Sequence, residues 1–186
     1  MGWKKRRWKI TGDELLERYA SGERNFAGVE LVEYGSRPSK YSGPGSDLDG
    51  VVLRDINLQG AVFQQVYLIG ADLTGADLGG IFMLSSCLSE GIIRDANLCG
   101  ANVCRSGFIN TDLRGTDLNN INATGTCFRG AYLPTFESAI LADANFQGAH
   151  TRSELICNGW NLIWRTTMPD GIVVRGPQWG NISDVR

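Results

Sequence analysis

The sequence is poor in the residues from which catalytic and metal sites are built. It holds one histidine, His150, and five cysteines, Cys87, Cys99, Cys104, Cys127 and Cys157, with no C-x-x-C spacing among them. No nucleophile, base and orienting group gather in sequence around His150, which reads as a structural or exposed histidine. Metal-ligand spacing is absent, and the 24 glycines follow a step of five rather than G-x-G-x-x-G or G-x-x-x-x-G-K. The carboxylates are spread along the chain instead of converging. These absences argue against an enzyme, a metal centre and a bound cofactor. No apolar run approaches the roughly 18 residues that span a bilayer, and the basic N-terminus is not followed by an apolar h-region. An odd number of unpatterned cysteines reads as reduced thiols, so a cytoplasmic protein is expected.

What the sequence does contain is a rhythm. From 46 to 135 an apolar residue returns at every fifth position: Leu48, Leu53, Leu58, Phe63, Leu68, Leu73, Leu78, Met83, Leu88, Ile93, Leu98, Val103, Phe108, Leu113, Leu118, Ala123, Phe128 and Leu133. That is (133 − 48)/5 + 1, or eighteen, registers without a slip. Two places before each centre stands a small or β-branched residue, such as Val51, Ala61, Ala71, Thr111 or Thr126, and one place before it Asp or Asn recurs, as in Asn57, Asp77, Asn97 and Asp117. A period of five fits neither a helix at 3.6 nor a strand at 2, and its persistence marks a stacked repeat. Each five-residue unit is one side of a coil, with a large and a small residue inward and three outward.

Units such as Ala71-Asp72-Leu73-Thr74-Gly75, Ala76-Asp77-Leu78-Gly79-Gly80 and Ala96-Asn97-Leu98-Cys99-Gly100 resemble the A-(D/N)-L-x-x consensus of the pentapeptide repeat family. The resemblance implies an all-β solenoid, a right-handed quadrilateral β-helix with one unit per side. Eighteen units then make 18/4 turns, roughly 22 Å of column at the inter-strand spacing. The segments 14–26 and 167–171 are similar to the caps of cyanobacterial members.

The chain divides into a basic tail (1–10), a capping helix (11–23), the coil (24–153) and a C-terminal cap and tail (154–186). Thr11 or Asp13 caps the helix, Gly22 ends it, and Leu15, Leu16 and Tyr19 share one face, which suits a plug over the open end of the coil. Phe26 and Leu31 begin the first coil in a shifted register, and the breakers of 34–45 make a loop insertion. Between Leu133 and Leu141 eight residues replace five, read as a three-residue bulge at 134–138. Ala149 to Ser153 forms a last side, after which Trp160, Trp164 and Trp179 suit an aromatic lid.

Three candidate contact regions follow. Val62, Tyr67, Ile69, Phe82, Leu84 and Ile92 are apolar where outward residues are usually polar, and such surface on a soluble protein meets a partner, a second copy or the chain's own loop and tail. Trp3, Lys4, Lys5, Arg6, Arg7, Trp8 and Lys9 suit an anionic membrane surface or nucleic acid, or a solvated tail. Arg37, Lys40 and Tyr41 sit on the inserted loop. On another face Arg54, Arg94 and Arg114 alternate with Asp72 and Asp112, which predicts local ion pairs.

The expected function is therefore a non-enzymatic interaction or scaffold module, its partner another protein and not a small-molecule substrate. Contact of the basic N-terminus with anionic lipid or nucleic acid is one alternative. A second follows from the resemblance, since some members imitate DNA and modulate gyrase. Mimicry needs a dense one-signed surface, whereas 46–135 sets nine acids against five arginines.

Overall fold

The structure, a computed structural model, describes residues 8–32 and 48–177. Trp3, Lys4, Lys5, Arg6, Arg7, Arg37, Lys40, Tyr41 and Trp179 lie outside these residues. Its regular elements are β1 (Lys9–Ile10), α1 (Gly12–Ala20), β2 (Glu30–Leu31), β3 (Val62–Gln64), β4 (Phe82–Leu84), α2 (Ser153–Cys157), β5 (Thr166–Thr167) and β6 (Val173–Val174). Most of the coil lies between β2 and α2, in sides too short to count as strands.

All eighteen central residues are buried, Leu133 being the most exposed at 7%. The small residues two places earlier point inward with them, and of those cited above only Val51 is part-exposed. Where that place holds a hydroxyl, it reaches back to the coil below. Thr111 Oγ1 donates to the Leu88 carbonyl at 3.0 Å, Thr126 Oγ1 to Val103 at 2.8 Å and Ser106 Oγ to Met83 at 2.6 Å. A buried hydroxyl with a fixed acceptor costs little, which is why Ala, Ser and Thr interchange here.

The chain turns each corner through a left-handed residue. All seventeen positions from 50 to 130 in steps of five have φ between 54° and 75°. Glycine takes this conformation without strain, but Asp55, Gln65, Ser85, Glu90, Asp95, Arg105, Asn110 and Asn120 adopt it too.

Parallel pairing twenty residues apart stacks the sides into four ladders. The first side runs β2, β3, β4, Asn102, Asn122, Ile140, Leu162; the second Tyr67, Cys87, Gly107, Cys127, Asn145, Thr167. The third carries Val52, Asp72, Ile92, Asp112, Tyr132 and His150, and the fourth Asn25, Asn57, Asp77, Asn97 and Asp117. Within each rung the residue before the centre bonds downward and the centre bonds upward, as in Asp72 N–H to Val51 at 2.9 Å and Leu73 N–H to Ile92 at 2.7 Å.

Three departures from a step of twenty locate the irregularities. Asn25 to Asn57 and Glu30 to Val62 are both steps of 32, and the excess of twelve equals the length of the inserted segment 34–45. Asn122 to Ile140, Cys127 to Asn145 and Tyr132 to His150 are steps of 18. The expected three-residue bulge is thus a two-residue contraction: Leu133 to Leu141 crosses two sides in eight residues rather than ten. Phe136 fills the shortened side, edge-on to Phe128 at 6.1 Å and to Phe146 at 5.8 Å. Finally Ile140 to Leu162 and Asn145 to Thr167 are steps of 22, with α2 between them.

The coil therefore continues beyond its expected last side to Met168, and Ile163 and Met168 are core residues. An aromatic lid is not what the two described tryptophans of this segment form: Trp160 is 73% and Trp164 42% exposed. The ladder of the second side instead ends in an antiparallel hairpin, β5 with β6, in which Met168 N–H donates to Ile172 at 2.8 Å. A hairpin occupies an edge that would otherwise template further pairing.

At the other end β1 pairs in parallel with β2, so Lys9 and Ile10 are a rung of the first side and not part of a tail. Helix α1 follows directly. Thr11 caps it, its Oγ1 accepting from Glu14 N–H at 3.1 Å. Its C-terminus closes on Gly22 at φ 102°, where Gly22 N–H reaches Tyr19 and Glu23 N–H reaches Arg18, the paired bonds of a Schellman ending. Leu15 is fully buried in the core and Leu16 and Tyr19 pack against it. The Tyr19 hydroxyl donates to the Arg54 carbonyl at 2.9 Å.

Candidate functional site

With the interior filled by side chains, it is the outward residues of the four sides that stand open among the described residues of the coil. The six apolar candidates do not form one surface. Phe82 (41% exposed) and the part-buried Leu84 lie on the first side, and the part-buried Tyr67 and Ile69 lie on the second, one coil earlier. Gln65 and Ser85 turn the corner between these two sides. Ile92 is placed elsewhere: ten residues from Phe82, it occupies the opposite, third side between Asp72 and Asp112. Val62 is also corrected, being 8% exposed beneath Phe82 and above Glu30 in one ladder. Four of the six residues thus lie on two adjacent sides that meet at the Gln65 and Ser85 corner, Leu84 and Tyr67 being next to it in register.

Along the same corner a shallow groove of about 290 Å³ is lined by Leu84, Ser85, Cys104, Arg105 and Thr124. Leu84, Cys104 and Thr124 are twenty residues apart, so the period alone places them in one column. Sequence reasoning passes over them because Cys104 and Thr124 look ordinary one unit at a time.

Of the basic segment, Trp8 and Lys9 are described and both are engaged. The Arg18 guanidinium lies 3.9 Å from the centroid of the Trp8 ring, and Lys9 Nζ is 3.5 Å from Glu30 Oε1.

The third side holds the densest charge. Arg54 pairs with Asp72 at 2.6 Å, and Asp112 accepts from both Arg94 and Arg114, the Arg114 contact being 2.7 Å. The expected ion pairs are present, with the carboxylates tucked in and the guanidiniums outside. Hydrogen bonding from Arg114 outweighs burial, and Arg94 adds to it, so the Asp112 carboxyl stays well below the usual carboxylate range. At Asp72 burial pushes upward, but bonds from Thr74 and Arg54 together reverse it and the net shift is downward. Beyond them Tyr132 and His150 stack with ring centroids 4.0 Å apart. Among the described residues the His150 side chain makes no hydrogen bond or ion pair to a carboxylate or nucleophile.

The fourth side is different again. Asn57, Asp77, Asn97 and Asp117 each accept, through Oδ1, the backbone N–H two residues on, and Asn97 Nδ2 also donates to Asp77 at 2.9 Å. This ladder is structural.

Among the described residues no group of three His, Cys, Asp or Glu is placed to hold a metal, and no helix is long and apolar enough to cross a membrane. All five cysteines are free. Burial, with Glu154 nearby, pushes the Cys157 thiol up to about 11, which leaves it a packing residue at neutral pH.

The family model for pentapeptide repeats matches residues 46–83 and 92–133 in eight copies. No curated protein matches the chain. Among solved structures, a trypsin-treated form of QnrB1, a plasmid-mediated fluoroquinolone resistance protein, is 13% identical, with 92% of this chain and 89% of that one covered at a TM-score of 0.54. Rfr23, a pentapeptide repeat protein of the cyanobacterium Cyanothece 51142, is 20% identical over 74% of this chain and 93% of its own, TM-score 0.40. A pentapeptide repeat protein of the Arabidopsis thaliana thylakoid lumen is 25% identical over 57% and 69%, TM-score 0.35. The repeats and the likeness to QnrB1 give the fold as a right-handed quadrilateral β-helix.

Proposed function

The chain is a pentapeptide repeat protein, and from that premise we propose that it is a non-enzymatic module that binds another protein through the corner between its first and second sides. The observation that carries this reading is the filled interior: with all eighteen centres buried, the described coil leaves its outer faces to meet a partner. Of those faces, the third is occupied by its own ion pairs and the fourth by its own Asx ladder. Phe82, Leu84, Tyr67 and Ile69 stand in outward registers on the first and second sides, whereas the exposed Val52, Ile92 and Tyr132 of the third side are interleaved with the ion-paired Asp72 and Asp112. Helix α1 serves this module as the plug of its N-terminal end, supported by buried Leu15 and by the Tyr19 bond to the Arg54 carbonyl. The five free cysteines support a reducing compartment such as the cytoplasm.

Two other readings are less favoured. Trp8 and Lys9 are committed to the fold, which leaves less of the basic segment for lipid or nucleic acid. Arg54, Arg94 and Arg114 stand outside their carboxylates on the third side, which breaks the one-signed surface that imitation of DNA requires.

The test is a pull-down from native lysate with the wild-type protein and with Tyr67→Asp/Phe82→Asp, the fold of each checked by circular dichroism. A protein retained by the wild type and lost by the folded double variant is expected. Recovery of the same proteins by both would remove this corner as the binding surface.

A further inference from the structure

We infer that Asn158 is a site of spontaneous deamidation, and that its isoaspartyl product loosens the C-terminal end of the coil. Asn158 is the one asparagine in the sequence followed by glycine. It is exposed just after α2, at φ −85° and ψ 173°. Its carboxamide makes no hydrogen bond among the described residues, and the Gly159 N–H has no acceptor among them. Gly159 offers the nucleophilic nitrogen without a Cβ to hinder it. The glycine is itself fixed by the fold, because at φ 80° an added Cβ would lie 2.5 Å from the Phe136 carbonyl oxygen.

Five asparagines of the coil are protected by the opposite arrangement. Asn57, Asn97, Asn102, Asn122 and Asn145 each hold their carboxamide oxygen on the N–H two residues on. Each precedes a core residue, Leu58, Leu98, Val103, Ala123 or Phe146.

The chemistry needs only water. The Gly159 backbone nitrogen attacks Asn158 Cγ, a nitrogen–Cγ bond forms, the Cγ–Nδ2 bond breaks, and ammonia leaves with the proton that the Gly159 nitrogen gives up. Water then opens the succinimide at either carbonyl, yielding aspartate or isoaspartate. Isoaspartate routes the backbone through the former side chain and lengthens it by one methylene.

That extra atom falls where the last coil is tied down. The buried Asn161 Nδ2 donates to the Asn158 carbonyl at 2.6 Å, to Ile156 at 2.8 Å and to Phe136 at 3.1 Å, and its Oδ1 accepts from Ala139 N–H at 2.9 Å. Displacing the Asn158 carbonyl disturbs the network that joins α2 to the contracted side. The new carboxylate also stands one turn beyond Glu154, whose backbone carbonyl accepts from Asn158 N–H.

The test incubates the full-length folded protein at mildly alkaline pH and physiological temperature, alongside a urea-denatured sample. Tryptic peptide 153–165 is then assayed for ammonia loss with hydration and for methyl acceptance by isoaspartyl methyltransferase. Conversion in the folded protein is expected in this peptide, with complete loss of it in Asn158→Gln. Conversion of the denatured chain alone would overturn the site. The isoaspartyl fraction should also melt below Asn158→Asp, which carries the charge without the longer backbone. Identical melting of the two would overturn the loosening.

Discussion

Asp112 illustrates how much the three residues of one outward triangle decide. Its carboxyl is held far below the ordinary range by Arg114 and Arg94, so the folded state binds that proton less readily than the unfolded chain. A depressed carboxylate contributes stability that is fully present above the unfolded value of about 4 and is lost as pH falls through the folded value. Thermal unfolding from pH 6 downward should therefore show a steeper acid loss of Tm in the wild type than in Asp112→Asn. Equal slopes would mean that the two guanidiniums do not act on Asp112 in solution. Corner residues make a second prediction of opposite signs. Gly75 has φ 71°, and a Cβ there would run into Asp55 Oδ1, so Gly75→Ala should cost about 1–2 kcal/mol. Gln65 holds φ 56° in the same kind of corner, and Gln65→Gly should gain roughly 0.5–1 kcal/mol by relieving that strain. Urea unfolding checks both, and a stabilising Gly75→Ala would refute the corner argument. The inward centres and these corners were legible because one requirement repeats at one spacing. Val62 was not. A regular count of twenty leads back from Val62 to position 42, whereas the insertion brings Glu30 into the rung below, and the burial of Val62 follows from that shifted rung.

The ends of the ladder were legible to different degrees. Helix α1 announces itself through Thr11, the acids of its first turn and Gly22, all of which act within a few residues. The far end conceals itself because Asn161 takes an inward place where the repeat elsewhere has a small or β-branched residue, and because α2 interrupts the count. Asn161 is tolerated inside since its carboxamide is fully bonded, a circumstance no spacing rule exposes. If α1 plugs the first coil, removing residues 1–22 uncovers the apolar centres Leu53 and Phe26 together with the lowest backbone edge. The truncated chain should then associate or aggregate, read by light scattering, while Tyr19→Phe should remain monodisperse with a loss of about 1 kcal/mol for the Arg54 carbonyl left without its donor. A soluble, monodisperse truncation would show that the end needs no plug.

Taken as one object, the protein is a column whose inside is committed to holding it together, from the Phe108, Phe128 and Phe146 stack to the threonines that bond the coil below. The four sides share a backbone and differ in their outward residues: apolar near the first corner, ion-paired on the third, amide and carboxylate on the fourth. The length of one side was legible from the repeat and the number of sides from the family resemblance, but the make-up of the apolar surface was not. Ile92 stands close to Phe82 in the chain, and the ten residues between their registers carry it to the opposite face. The measurement that bears most directly on the proposed role is photo-crosslinking in native lysate from a photoreactive residue placed at Tyr67, with Asn97 on the opposite fourth side as control. A discrete protein adduct from position 67 and none from 97 is the outcome expected of a binding corner. Adducts of equal yield from both, or from 97 alone, would contradict it.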